Sequence, residues 1–225
     1  MSLVSPRALQ MADRVANATA LLGAESESVS YVLRAYAGAM ERREGSGLPE
    51  DDPDFLRPGR TVLILVEDVR ENDPRVLAVG ALAESRRDEL RLEPDEVARL
   101  LASGGDPAEE LEWWRALPAL GWKGVPSEGQ ADEWSYDERL LEDLVIAPPP
   151  VQRIALAEGL DQIRHAHLWS SPADRQRAAA IARRVLHPLA TRVDETLARR
   201  YGWWLRRVGP ALERTAPDSP RVGSS

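Results

Sequence analysis

Apolar residues recur at intervals of three and four along most of the chain, the spacing of helices with one buried face. Leu9, Ala12, Val15 and Ala16 show this spacing in the first segment. The same pattern in other segments predicts helices over residues 5–22, 28–43, 62–69, 73–90, 94–103, from 106 onward, 135–146, 151–168 and from 171 to about 205. The short apolar run at 61–66 also fits a buried strand, but its periodicity favours a helix.

Capping residues and prolines predict where these helices begin and end. Ser135 and Glu138 have the spacing of a capping box, which predicts a helix that starts at Ser135. The prolines at 148–150 predict a break in the chain. Pro188 lies inside the longest periodic stretch, where proline removes a backbone donor, so we expect a kink there.

These elements predict an all-α protein with one multi-helix domain of about eight or nine helices. The domain is expected to cover residues 1–214, and the polar tail at 215–225 is expected to be disordered.

The charge of the chain is divided unevenly. Residues 1–163 carry 17 basic and 32 acidic side chains, a net charge of −15, whereas residues 164–214 carry 11 arginines and 4 acids, a net of +7. The net charge of −8 argues against a nucleic-acid partner. The basic segment is expected either to pack on the acidic part or to face an anionic partner.

The chain contains two pairs of adjacent tryptophans, at 113–114 and 203–204. One residue of each pair is expected to be partly exposed or to pack on another layer.

Composition and motifs exclude several functions. With no cysteine, the chain has no disulfides, no thiol nucleophile and no cysteine-ligated metal. Its three histidines show no helical metal-ligand spacing, and it lacks the glycine-rich phosphate loops. No apolar run reaches the length of a signal peptide or a membrane span. We therefore expect a bacterial, cytoplasmic protein with no membrane association.

Three segments resemble the HD superfamily, and within it the metal-dependent hydrolase domain of RelA/SpoT-type (p)ppGpp enzymes. Residues 55–68 resemble the stretch that opens a helix with His-Pro, and 73–90 are similar to the helix that ends in the His-Asp pair. Residues 154–193 look like the helix of the last aspartate ligand and the long helix that follows. The resemblance spans roughly residues 25–207 and implies an HD-like helical fold.

The family's metal ligands are replaced at every matching position. The resemblance places Arg57 at the first histidine, Glu84-Ser85 at the His-Asp pair and Glu158 at the last aspartate. Asp88-Glu89 stand, in reversed order, where the family's Glu-Asp pair assists the hydrolytic water. Arginine has five donors and no available lone pair, so it does not bind a cation. We therefore predict that Arg57 replaces the metal as the partner of Glu84 or Glu158 and that no cofactor is needed.

Three functions remain open at this point. The first is a domain without metal-dependent catalysis that binds a guanine nucleotide or a protein. Its binding residues are Arg57, Arg60, Arg86, Arg87, Glu158, Asp161 and Arg164, of which the five arginines would surround an anionic ligand. The second is an active phosphohydrolase that holds Mn²⁺ or Mg²⁺ through Glu84, Asp88, Glu89, Glu158 and Asp161, with Asp88 and Glu89 as catalytic residues. The third is an unrelated helical interaction protein. The sequence does not name the oligomeric state.

Overall fold

A computed structural model describes residues 5–86, 90–102, 107–118 and 133–212. Within these ranges the fold is all-α and contains no strand, which confirms the predicted class. The α-helical segments are α1 (Pro6–Leu21), α2 (Ser26–Gly45), α3 (Arg57–Ile64), α4 (Pro74–Leu82), α5 (Pro94–Leu101), α6 (Ala108–Ala116), α7 (Glu133–Ile146), α8 (Pro149–His165), α9 (Pro172–Ile181), α10 (His187–Val193), α11 (Glu195–Arg207) and α12 (Gly209–Leu212). Because α9 and α10 form one continuous helix, the described ranges hold 11 helices, close to the predicted number.

Helix α8 lies at the centre of the fold. It packs against α3, α4, α10 and α11, and all of its residues from Ile154 to Ile163 are buried. Gly159 allows α8 to pack closely against Leu186 and Tyr201, because a Cβ atom at this position would meet the side chain of Leu186 and lie 2.8 Å from the Tyr201 hydroxyl. This central position brings Asp161 of α8 into contact with Arg57 and Arg60 of α3.

Local signals placed several helix starts correctly. Ser5 caps α1 by accepting a hydrogen bond from the Ala8 N–H, and Asp73 caps α4 in the same way. The run at 61–66 is helical, as its periodicity predicted, and continues as a π-helical turn over Leu65–Val69. Helix α4 ends at Leu82 rather than near residue 90, and a 3-10 turn, Ala83–Arg86, follows it.

One prediction based on local signals is wrong, and two others are refined by the structure. Helix α7 includes Glu133, so Ser135 lies inside the helix and is not its cap. As predicted, the helices are interrupted at the prolines at 148–150: α7 ends at Ile146 and α8 begins at Pro149, two residues earlier than expected, because the first turn of a helix needs no backbone donors. Next to Pro188, where a kink was expected, the helix changes to a π-helical turn over Ala182–Leu186, and a second interruption that the sequence did not predict falls at Asp194.

The chain turns at Asp194 because this residue is extended and caps the next helix. Its φ and ψ are −155° and 119°, and its side chain accepts a hydrogen bond of 2.8 Å from the Leu197 N–H. Pro188 lies in the first turn of α10, directly after a π-helical turn over Ala182–Leu186. That change of hydrogen-bond register accommodates the missing proline donor without ending the helix.

No helix among the described residues is long and apolar enough to cross a bilayer. The tail at 215–225 lies outside the described residues, as do residues 213 and 214.

Candidate functional site

The first residue of α3 contacts the turn that follows α4. Arg57 Nη1 donates to Glu84 Oε1 at 2.9 Å, and the two side chains are only 1% and 6% exposed. Glu84 lies in the 3-10 turn Ala83–Arg86, so the ends of two helices meet at this contact. The predicted Arg57–Glu84 contact is therefore present, and it is buried.

Glu84 is shared between two arginines. Its second carboxylate oxygen, Oε2, pairs with Nη2 of Arg43, a residue in the last turn of α2 that is 2% exposed. Arg43 also donates from Nη1 to the Asp54 carbonyl oxygen at 2.9 Å. Two guanidinium groups thus hold one carboxylate, with one on each oxygen.

Two aspartates complete a group of six charged side chains. Arg57 pairs with the carboxylate of Asp54, and its Nε lies 3.7 Å from Asp161 Oδ2 on α8. Arg60 forms a bidentate ion pair with Asp161, in which Nε donates to Oδ1 at 2.7 Å and Nη2 donates to Oδ2 at 2.9 Å. We call this group the ion-pair cluster; its members are Arg43, Asp54, Arg57, Arg60, Glu84 and Asp161. Its three cations and three anions balance, which compensates for their removal from water.

Asp161 remains charged although it is buried. Burial alone would raise the pKa of its carboxyl, but hydrogen bonds from His165 and Arg60 outweigh that effect, so the pKa lies well below its usual range. His165 Nδ1 lies 3.3 Å from Asp161 Oδ1 and 2.8 Å from the Asp161 carbonyl oxygen. The negative charge of Asp161 is therefore part of the folded structure.

Glu158 and Ser85, which the resemblance places at metal-ligand positions, form hydrogen bonds with protein groups. Glu158 is buried on α8 and accepts a hydrogen bond of 3.2 Å from Gln162 Nε2. Ser85 Oγ donates to the Leu82 carbonyl oxygen at 2.6 Å and accepts from Trp114 Nε1 at 3.1 Å, contacts that tie the end of α4 to α6. Asp161, on the same helix as Glu158, lies 3.7 Å from Arg57.

The other predicted arginines have different partners. Arg86 donates to the Trp114 carbonyl oxygen at 2.9 Å, and Arg164 pairs with Asp68 at 3.0 Å. Arg57 and Arg60 meet at Asp161, and both form ion pairs with this carboxylate. Arg87, Asp88 and Glu89 lie outside the described residues.

The ion-pair cluster does not fit a divalent cation. Arg43 and Arg57 direct positively charged N–H donors at both oxygens of Glu84, where a metal needs lone pairs. Within the described ranges, no group of three or more His, Asp or Glu side chains is placed to hold a metal ion.

Sequence reasoning missed Arg43 and Asp54 as members of the cluster. Arg43 looks like an ordinary basic residue near the end of a helix. However, it follows Tyr36 and Met40 at intervals of seven and three, on the buried face of α2, and this spacing was a usable signal. Asp54 lies in an acidic loop and carried no comparable signal.

No protein-family model matches the chain, and no curated protein matches it in sequence.

Proposed function

We propose that the chain is a degenerate HD-like domain that resembles the hydrolase half of RelA/SpoT proteins and acts as a regulatory or binding module without metal-dependent catalysis. One observation carries the proposal: both oxygens of Glu84, which the resemblance aligns with a histidine ligand, are held by buried guanidinium groups of Arg43 and Arg57.

The meeting of three separate segments supports the HD-like part of the proposal. Arg57, Glu84 and Asp161 come from the three segments that carry the resemblance, and they are far apart in sequence. Arg57 contacts both carboxylates directly. The resemblance implies that these segments surround one site, and chance similarity of helices would not require their charged residues to meet.

The charges of the cluster support the loss of catalysis. A divalent cation at Glu84 would have to displace two buried guanidinium groups, each of which would then lose its ion pair with Glu84. Leaving a buried charge without its partner costs about 3–5 kcal/mol. The cluster therefore supplies internally the positive charge that a metal supplies in the family.

Guanosine tetraphosphate incubated with the purified chain and Mn²⁺ is expected to release no pyrophosphate or phosphate above the enzyme-free rate. The reason is that water activation in the family needs a bound metal, and Arg57 and Arg43 hold the carboxylate that would bind it. Release is measured by chromatography of the nucleotide, with an active RelA/SpoT hydrolase domain as the positive control.

Mn²⁺-dependent hydrolysis that is lost in Glu84→Gln would contradict the proposal and favour the carboxylate phosphohydrolase.

Thermal unfolding with the same nucleotide, without metal, distinguishes a nucleotide-binding module from a protein-binding module. A nucleotide-binding module gains RT ln(1 + [L]/Kd) of stability, whereas a protein-binding module shows no shift.

A further inference from the structure

Helix α11 presents two different faces. Leu197, Tyr201 and Leu205 repeat at intervals of four and are buried against the core. The opposite face carries polar and aromatic side chains at helical spacing, namely Thr196, Arg199, Arg200, Trp203 and Arg207. Trp203 is 48% exposed, so a large apolar side chain remains on this outer face.

An open groove of about 670 Å³ runs along this outer face. Its lining residues are Arg164, Thr196, Arg199, Arg200, Trp203 and Trp204, and we call it the α11 groove. The two tryptophan rings meet edge to face, with centroids 4.9 Å apart and planes at 82°. Tryptophan and arginine are the residue types that contribute most to protein–protein binding energy.

The α11 groove has an excess of positive charge. Asp68, on the π-helical turn after α3, accepts from Arg164 at 3.0 Å and from Arg200 at 2.8 Å, and so fixes both arginines at the groove. One carboxylate neutralises one of these two charges. Arg199 and Arg207 add two more, since Arg199 is exposed and Arg207 lies over the Trp203 ring at 5.9 Å.

The arrangement of the rings favours a peptide over a nucleotide base. Base recognition on an aromatic side chain needs an accessible ring face. Arg207 covers one face of Trp203, and the two tryptophan planes are nearly perpendicular, so they do not form a stacking slot. An apolar peptide side chain can pack at the corner between the rings, while carboxylates pair with Arg199 and Arg200.

We propose that the α11 groove binds an acidic peptide segment of a partner protein, with an apolar side chain anchored at Trp203 and Trp204. The charge pattern of the chain agrees, since the basic segment 164–214 carries a net +7 on an otherwise acidic protein. This inference goes beyond the proposed function and does not depend on the ion-pair cluster, so each can fail without the other.

The test is a random-sequence peptide library selected on the wild-type chain. Enriched peptides are expected to combine an excess of Asp and Glu with at least one large apolar residue. A synthesised enriched peptide is then titrated by fluorescence anisotropy. Trp203→Ala and Arg199→Glu are each expected to raise its Kd about tenfold or more, as for interface anchor residues. Arg192→Glu is the matched control, because Arg192 is exposed on α10 and does not line the groove.

Any of four results would overturn the proposal. These are no enrichment, enriched peptides without an acidic excess, equal weakening by Arg192→Glu and Arg199→Glu, and unchanged affinity in Trp203→Ala with its fold verified by circular dichroism. Two further results would assign the groove to another occupant and also reject the peptide. One is self-association of the chain that Trp203→Ala abolishes, and the other is thermal stabilisation by guanosine tetraphosphate that the same variant removes.

Discussion

Glu84→Gln is expected to lower the free energy of unfolding by about 3–5 kcal/mol, because it removes a negative charge that two buried guanidinium groups share, those of Arg43 and Arg57. The glutamine amide keeps the size of the carboxylate, but it offers one acceptor oxygen and turns two N–H donors toward an arginine. The loss therefore reports charge pairing rather than packing. It is measured by urea unfolding at neutral pH, followed by circular dichroism.

The control is Glu138→Gln, the same substitution at an exposed position of α7, where a change within about 0.5 kcal/mol is expected. A double-mutant cycle with Arg57→Met then isolates the pair, and a coupling of about 0.5–3 kcal/mol is expected for residues in one network. Equal stability of Glu84→Gln and the wild type, or additive effects in the cycle, would show that the contact contributes nothing.

Asp161→Asn is expected to destabilise the chain at neutral pH by about 3 kcal/mol, and the difference from the wild type should shrink in acid. The folded pKa of Asp161 lies below its unfolded value of about 3.9, so its charge contributes stability above that pH. That contribution is lost as the pH falls through the folded pKa. The measurement is urea unfolding of both proteins across a series from neutral pH to below pH 4.

Asp13→Asn provides the reference for this series, since Asp13 is exposed on α1 and the substitution changes the net charge equally. The unfolding free energy of Asp13→Asn should stay close to that of the wild type at every pH of the series. If the Asp161→Asn difference is the same at every pH, the charge of Asp161 is not what stabilises the fold, and its pairing with Arg60 and His165 has no energetic role.

The helical class could be predicted from the sequence because periodicity and caps act locally. Ser5 and Asp73 cap helices as expected, and the run at 61–66 was correctly interpreted from its spacing. Local rules were incomplete where a second local preference competed. The kink expected at Pro188 falls next to a π-helical turn, and Asp194 adds an unpredicted interruption because its side chain caps α11.

The candidate site could be predicted only in part, because its members meet through tertiary packing. Arg57 and Glu84 were found through the resemblance, and Asp161 was named without its pairing to Arg60. The second arginine on Glu84 was missed, although the helical spacing of Arg43 from Met40 pointed toward the core. The tryptophans illustrate the same limit: both residues at 113–114 are buried, whereas Trp203 is half exposed, and adjacency alone does not distinguish these outcomes.

The central claim is that guanidinium groups occupy the place where the resembled family binds its metal. Crystals of the chain soaked in Mn²⁺, with diffraction recorded at the manganese absorption edge, test it directly. We predict that Arg43 and Arg57 remain hydrogen-bonded to Glu84 and that no anomalous peak lies at this carboxylate. A manganese peak within coordinating distance of Glu84, with Arg57 turned away, would contradict the account.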